Sequence, residues 1–101
     1  MIEDKWRLMT LPQQLGNLLA EISRAANWEK INKATQRAVA LERALELIDL
    51  ILADSRNFGR SRELGILREL IADCYANSGY FFINLKAIQD YLLPFAVLAR
   101  K

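Results

Sequence analysis

One stretch of the chain, Ala34–Asp54, constrains the fold more than any other. In its second half, over 45–53, the only polar residues are Glu46 and Asp49. Helical spacing places its apolar residues in two adjacent stripes: Ala34, Ala38, Leu41, Leu45, Ile48 and Leu52 form the first, and Ala40, Ala44, Leu47 and Ile51 form the second. A helix that is apolar on two faces needs other helices around it. The stretch therefore predicts the central helix of an all-α domain.

Composition limits the size and the surroundings of this domain. A chain of 101 residues is expected to form a single domain, 1–101. Apolar residues make up 52% of it, which fits either a tightly packed monomer or, in the interpretation we favour, an exposed apolar patch that forms a homo-oligomer. One cysteine excludes an internal disulfide, and no segment resembles a signal peptide or reaches transmembrane length. We therefore expect a cytoplasmic protein that does not enter a membrane.

The first predicted helix has a clear start. Thr10 is the expected N-cap, Gln13 completes a capping box, and Pro12 falls in the first turn, where no backbone donor is lost. The helix should end near Ala26. Its inward face is predicted to hold Leu15, Leu18, Leu19, Ile22 and Ala26, and its outward face Gln14, Asn17, Glu21 and Arg24.

The second predicted helix runs from about 28 to 54 and is unusually long. At 1.5 Å per residue it would extend for about 40 Å, well beyond its neighbours. Its N-terminal half is the more polar part, so this half is expected to project or to meet a partner.

The remaining chain predicts two more helices. A turn at 55–59 precedes a helix that starts near Ser61 and stops at 77–79, and an aromatic link at 80–83 precedes a last helix capped by Asn84. Pro94 lies inside that helix and should kink it. Short connections favour antiparallel neighbours. The expected fold is an antiparallel four-helix bundle with one overlong helix and a Pro-kinked last helix, preceded by a loose extension, 1–9, held by Trp6.

Catalytic residue types are scarce. The chain has no histidine, which removes the commonest acid–base group and metal ligand. Glu42, Glu46 and Asp49 share one helix face, but a solvated stripe is favoured over a cation site because no second carboxylate cluster completes a cage. Cys74 lies on an inward face beside Asp73, which favours an inert thiol with a raised pKa. We therefore predict no enzyme activity, no metal and no cofactor.

Two basic clusters are candidates for an anion or nucleic-acid contact. The first contains Arg56, Arg60 and Arg62, and the second contains Lys30, Lys33 and Arg37. Neither has the glycine-rich spacing of a phosphate loop, and nearby Glu21 and Glu29 weaken the second cluster. A capped turn and a solvated helix face are the favoured interpretations, and nucleic-acid binding is the alternative.

Apolar residues in segments that should protrude are candidates for a protein interface. Trp6, Trp28 and Ile31 fall in such segments, and tryptophan is enriched at the centres of interfaces. Aromatic residues near the end of the chain, including Tyr91 and Phe95, fit either a ligand pocket or, as the favoured interpretation, an aromatic plug of the bundle.

Four segments carry a resemblance to known proteins: LGNLLAEISRAANW at 15–28, RALELIDLILAD at 43–54, RELGILRELIADCY at 62–75, and the run SGYFFINLKAIQDYLLPFAVLAR that closes the chain. In these motifs the chain resembles a group of small bacterial all-helical proteins without an established activity. The resemblance implies a helical fold and supplies no functional residues, although the turn at 59–62 coincides with a shared one. The apolar surplus, the overlong helix and the scarcity of catalytic residue types together predict a self-associating protein–protein interaction module without catalytic activity.

Overall fold

Helices form all the regular secondary structure in residues 2–77, 79 and 83–99, the part of the chain that the computed structural model describes. The elements are α1 (Ile2–Arg7), α2 (Leu11–Lys30), α3 (Ala34–Ala53), a 3₁₀ segment (Ser55–Arg60), α4 (Ser61–Ala76) and α5 (Leu85–Ala99). The predicted all-α class is confirmed. The aromatic residues predicted to link the last two helices, 80–82, lie outside the described residues.

Local capping signals in the sequence set two helix starts, and a third start also matches its predicted position. The Thr10 side chain accepts the backbone N–H of Gln13 at 3.3 Å, and the Gln13 side chain accepts the backbone N–H of Thr10 at 2.8 Å, which is the predicted capping box. Asn84 caps α5 by accepting the backbone N–H of Ala87 at 2.9 Å. α4 begins at Ser61 as predicted.

The prediction of one overlong helix over 28–54 is wrong. α2 continues past Ala26 to Lys30, the chain turns over 31–33, and α3 begins at Ala34. Asn32 adopts a left-handed backbone with φ of 59°, a conformation that asparagine tolerates better than most residues. The backbone N–H groups of Asn32 and Lys33 bond to the carbonyls of Glu29 and Trp28 at 3.1 and 2.9 Å, which closes the last turn of α2. The result is two helices of 20 residues each without an overhang.

Contacts between side chains give the relative direction of α2 and α3. Gln14 near the start of α2 contacts Asp54 just after α3, while Glu29 near the end of α2 pairs with Arg37 near the start of α3, so these two helices are antiparallel. α4 packs on α3, and α5 packs on α2. α4 and α5 pack together less closely than the pairs α2–α3, α2–α5 and α3–α4.

The core lies between α2, α3, α4 and α5. Its fully buried large side chains are Leu15, Leu18, Ile22, Leu41, Ile48, Ile51, Leu64, Ile71, Ile88 and Leu92. In the two apolar stripes of α3, Leu41, Ile48 and Ile51 are buried, whereas Ala34 at the helix start is exposed. In α5 the predicted core residues Phe95 and Ala99 are only half-buried. α5 continues through Pro94 to Ala99, and a kink at Pro94 stays a prediction.

The N-terminal segment is helical and packed. Instead of a loose extension, residues 2–7 form α1, and Trp6 is 5% exposed within the hydrophobic core. A buried Trp6 offers no surface to a partner. The expectation that Trp6 lies exposed in an interface is therefore wrong.

Replacing Asn32 with alanine should destabilise the protein by about 1 kcal/mol, because left-handed backbone brings the β-carbon of an L-residue close to the following carbonyl oxygen. Asn32→Gly removes that β-carbon and should unfold close to the wild-type midpoint. Urea denaturation followed by circular dichroism measures both variants. Gln36→Ala, on the exposed surface of α3, is the matched control. Equal stability of the alanine and glycine variants at position 32 would contradict this role of the turn.

Candidate functional site

A buried polar network joins the start of α2 to the 3₁₀ segment. Gln14, predicted to face water, is 0% exposed. Its Nε2 donates to the carboxylate of Asp54 at 3.1 Å and to the backbone carbonyl of Trp6 at 3.3 Å. Its Oε1 accepts from Nδ2 of Asn57 at 3.1 Å, and the same Nδ2 donates to the carbonyl of Ile51 at 3.0 Å. The amide thus has partners on both of its polar atoms, which removes most of the cost of burying it.

Asp54 connects this network to Arg56. Its carboxylate accepts from the Arg56 guanidinium at 2.6 Å and from the Arg56 backbone N–H at 3.0 Å. The side-chain hydrogen bonds from Arg56, and next those from Gln14, hold the pKa of Asp54 well below its usual range. Because the Arg56 guanidinium is bound to the Asp54 carboxylate, it makes a structural contact and does not form an open anion site.

The six basic residues predicted to form an anion or nucleic-acid contact do not come together in one chain. Lys30 and Lys33 are exposed at the α2–α3 turn, whereas the cluster at 56–62 lies at the opposite end of α3, about 30 Å away. Arg37 is wrongly predicted as solvated: its side chain is 16% exposed, pairs with Glu29 at 3.2 Å and donates to the Cys74 carbonyl at 2.8 Å. Glu21, also predicted to face water, is buried and pairs with Arg24.

A groove of about 460 Å³ lies between α4 and α5 and is called the α4–α5 groove. Its apolar lining comprises Ile66, Leu67, Leu70, Ile83, Ala87, Ile88 and the ring of Tyr91. Gly59, Arg60, Arg62 and Glu63 line the remainder. The Tyr91 hydroxyl donates to the Glu63 carboxylate across the two helices. The groove is therefore apolar with charge at one end, an arrangement typical of a site that binds another molecule.

Arg60 and Arg62 are the basic residues that remain accessible at this groove. Both are exposed, and neither makes a salt bridge within residues 2–77, 79 and 83–99. The Arg60 guanidinium lies 5.8 Å from the centre of the Phe95 ring, which keeps it beside α5. These two arginines are among the predicted anion contacts, whereas the groove is not predicted, although Ile66 and Leu70 are one turn apart on the flank of α4.

A second surface was also missed. From Tyr91 to Ala99 the last helix has no charged residue, and Leu93, Val97 and Leu98 are 54%, 48% and 55% exposed. Leu93 and Val97 lie about one turn apart on the same side of the helix, and we call these two residues the α5 outer face. The signal was present in the sequence, since a helix that is apolar on every side is either surrounded or forms an interface.

The other two candidate interface residues lie near the α2–α3 turn. Trp28 is half-buried at the end of α2, and Ile31 is exposed in the turn itself. Ile31 thus fits the predicted accessibility, while Trp28 offers only part of its ring system. With no overhanging helix, the two form a small exposed feature of the domain rather than a projecting arm.

The acidic residues of α3 and the thiol of Cys74 interact with other residues of the fold. Glu42 accepts the Tyr75 hydroxyl at 2.8 Å, which raises the pKa of Tyr75, and Asp49 pairs with Arg68 at 2.7 Å. No group of three or more potential ligands that could hold a metal occurs in the described part of the chain. Burial raises the pKa of the Cys74 thiol, with Asp73 adding to the effect as predicted.

The helices in the described ranges include none with the length and apolar character needed to cross a membrane.

Replacing Asp54 with asparagine should weaken the loss of stability in acid. Because the pKa of Asp54 is depressed in the folded state, its contribution is complete above its unfolded pKa of about 4 and is lost as the pH falls through the folded pKa. We expect wild type to lose more stability than Asp54→Asn when the pH is lowered from about 6 to 3. Urea titrations at each pH measure this difference.

Asp90→Asn is the control for Asp54→Asn, since Asp90 lies on the exposed side of α5 and pairs with Lys86 one turn away. Its pH profile should stay close to that of wild type. Parallel profiles for wild type and Asp54→Asn would show that the carboxylate does not support the folded state.

Comparisons of the chain with models of protein families, with curated proteins and with solved structures find no significant match. The resemblance to small bacterial helical proteins stays a prediction. The geometry of the α4–α5 groove and of the α5 outer face is the basis for a functional proposal.

Proposed function

We propose that this protein is a self-associating protein–protein interaction module without catalytic activity. Its framework is an antiparallel four-helix bundle of α2, α3, α4 and α5, with the last helix bent at Pro94, where the carbonyl of Asp90 has no backbone donor opposite it. We place it in the cytoplasm because a single buried cysteine suits a reducing compartment. The lack of histidine and the structural use of Glu42, Asp49 and Asp54 support a non-catalytic role.

The α5 outer face carries this proposal. Leu93 and Val97 are each about half exposed on a helix segment without a charged residue. Apolar side chains grouped in this way are typical of interfaces. An uncharged face can meet a second copy of itself without like-charge repulsion, and a two-fold axis brings the same patch of both subunits together. A second copy of the chain is therefore the occupant we favour.

The interface must extend beyond these two side chains, since a stable dimer covers about 800 Å² per partner. Leu8 provides a continuation because it is 86% exposed and lies with Ala96 and Ala99 around one surface pocket. Burial of Leu8 with the α5 outer face would cover the most exposed large apolar side chain in the described part of the chain.

Nucleic-acid binding is less well supported than self-association. Arg37 and Arg56 are engaged by carboxylates within the chain, and the accessible Lys30 and Lys33 lie a helix length away from Arg60 and Arg62. To bring these accessible basic residues onto one surface, several copies of the chain would have to be arranged around one axis.

Charging the α5 outer face should separate the copies. Leu93→Lys with Val97→Lys, and Leu93→Glu with Val97→Glu, should each be monomeric at micromolar concentrations at which wild type is dimeric. Like charges at the two-fold axis repel, whereas mixing the two variants should restore a dimer. Size-exclusion chromatography with light scattering measures the mass.

Val39→Lys is the matched control, since Val39 is an exposed valine of α3, away from α5. It should leave the dimer intact, and circular dichroism should report an unchanged helix content for every variant. A monomeric wild type would refute self-association through this face. A double-lysine or double-glutamate variant that keeps the mass of a dimer would refute it as well.

A further inference from the structure

The α4–α5 groove has an apolar floor and an open side. Leu67 and Ile88 below it are 4% and 1% exposed, so the core beneath is closed. Ile66, in contrast, is 55% exposed, and Leu70 and Ile83 are half-buried along the walls. Apolar side chains are thus available to an occupant without any rearrangement of the core.

One end of the groove is positively charged. Arg60 and Arg62 lie there without a carboxylate partner among the described residues, whereas Arg24, Arg37, Arg56 and Arg68 are each paired. The acidic residue at this end, Glu63, accepts a hydrogen bond from Tyr91 on the opposite wall. Two free guanidinium groups favour an occupant with negative charge at the same end.

The shape of the groove distinguishes between occupants. Small ligands are bound in pockets that bury about 70–90% of their surface, whereas this groove is open along the side where Ile66 is exposed. An amphipathic helix leaves its polar face in water and inserts anchors at i, i+3, i+4 and i+7. The seven residue steps of α4 from Glu63 to Leu70 cover about 10 Å along the axis, which equals the spacing from i to i+7.

We propose that the α4–α5 groove binds an amphipathic helix of a partner protein, with its apolar face on Ile66 and Leu70 and acidic residues against Arg60 and Arg62. This interaction goes beyond the proposed self-association and does not depend on it. The groove lies on the α4 side of α5. At 3.6 residues per turn, Leu93 lies about 120–160° around the helix axis from the groove-lining residues Ala87 and Tyr91, and Val97 lies about 80–120° from them.

A synthetic helical peptide tests the apolar part of the site. The probe has about four helical turns, leucine at i, i+3, i+4 and i+7, two glutamates at its N-terminus and a fluorescent label. Fluorescence anisotropy with the full chain should show saturable binding that Ile66→Lys weakens at least about tenfold. Val39→Lys, which introduces the same residue on α3, should bind like wild type.

A charge exchange tests the polar end. Arg62→Glu should weaken binding of the acidic peptide and should strengthen binding of a matched peptide with two lysines in place of the glutamates. Arg43→Glu, at an exposed arginine of α3, makes the same change in net charge and should leave both affinities unchanged. Reversal of preference by Arg62→Glu alone would locate the acidic residues at this end of the groove.

Five outcomes would overturn the proposal. Wild type failing to bind the acidic peptide, or binding the lysine peptide equally well, would exclude the stated partner chemistry. Equal losses for Arg62→Glu and Arg43→Glu would indicate unspecific attraction. A monomeric Ile66→Lys variant of a dimeric wild type would assign the groove to self-association. Binding of dodecanoate in the groove without binding of the peptide would indicate a small anionic amphiphile instead.

Discussion

The reversal of the chain at Asn32 determines the arrangement of the other helices. One residue with left-handed backbone ends α2 and lets α3 return along it, so that two helices of equal length align from end to end. That alignment brings Glu29 beside Arg37 at one end and Gln14 beside Asp54 at the other. The polar contacts that tie the helices together therefore depend on the position of this turn.

These contacts also decide which charged groups are available for function. Arg37 reaches across to the Cys74 carbonyl near the end of α4, and Arg56 is bound to Asp54 beside the buried Gln14. Arg60 and Arg62 remain accessible where α4 and α5 are least closely packed. Apolar surface and unpaired positive charge thus coincide on one side of the domain, and the uncharged end of α5 provides a separate surface.

Sequence patterns predicted the helix caps, which depend on neighbouring residues, but failed for contacts between distant residues and for the turn at Asn32. The capping box at Thr10 and the cap at Asn84 involve residues three positions apart, so their patterns were sufficient. Gln14 was assigned to the surface because its hydrogen-bond partners, Asp54 and Asn57, lie about 40 residues away along the chain. The predicted second helix ran through Asn32 because the apolar periodicity of α3 had more weight in the prediction than one residue that favours a turn. The groove was missed because it depends on how α4 and α5 pack.

The burial of Trp6 has a consequence for motion. A helix of six residues is too short to be stable alone in water, so α1 keeps its structure through the packing of this indole and through the Trp6 carbonyl that accepts from Gln14. Detachment of α1 would expose the indole and leave the Gln14 amide one acceptor short, while α2 to α5 kept their mutual contacts. We therefore expect the N-terminal helix to open as a local unit before the rest of the domain unfolds.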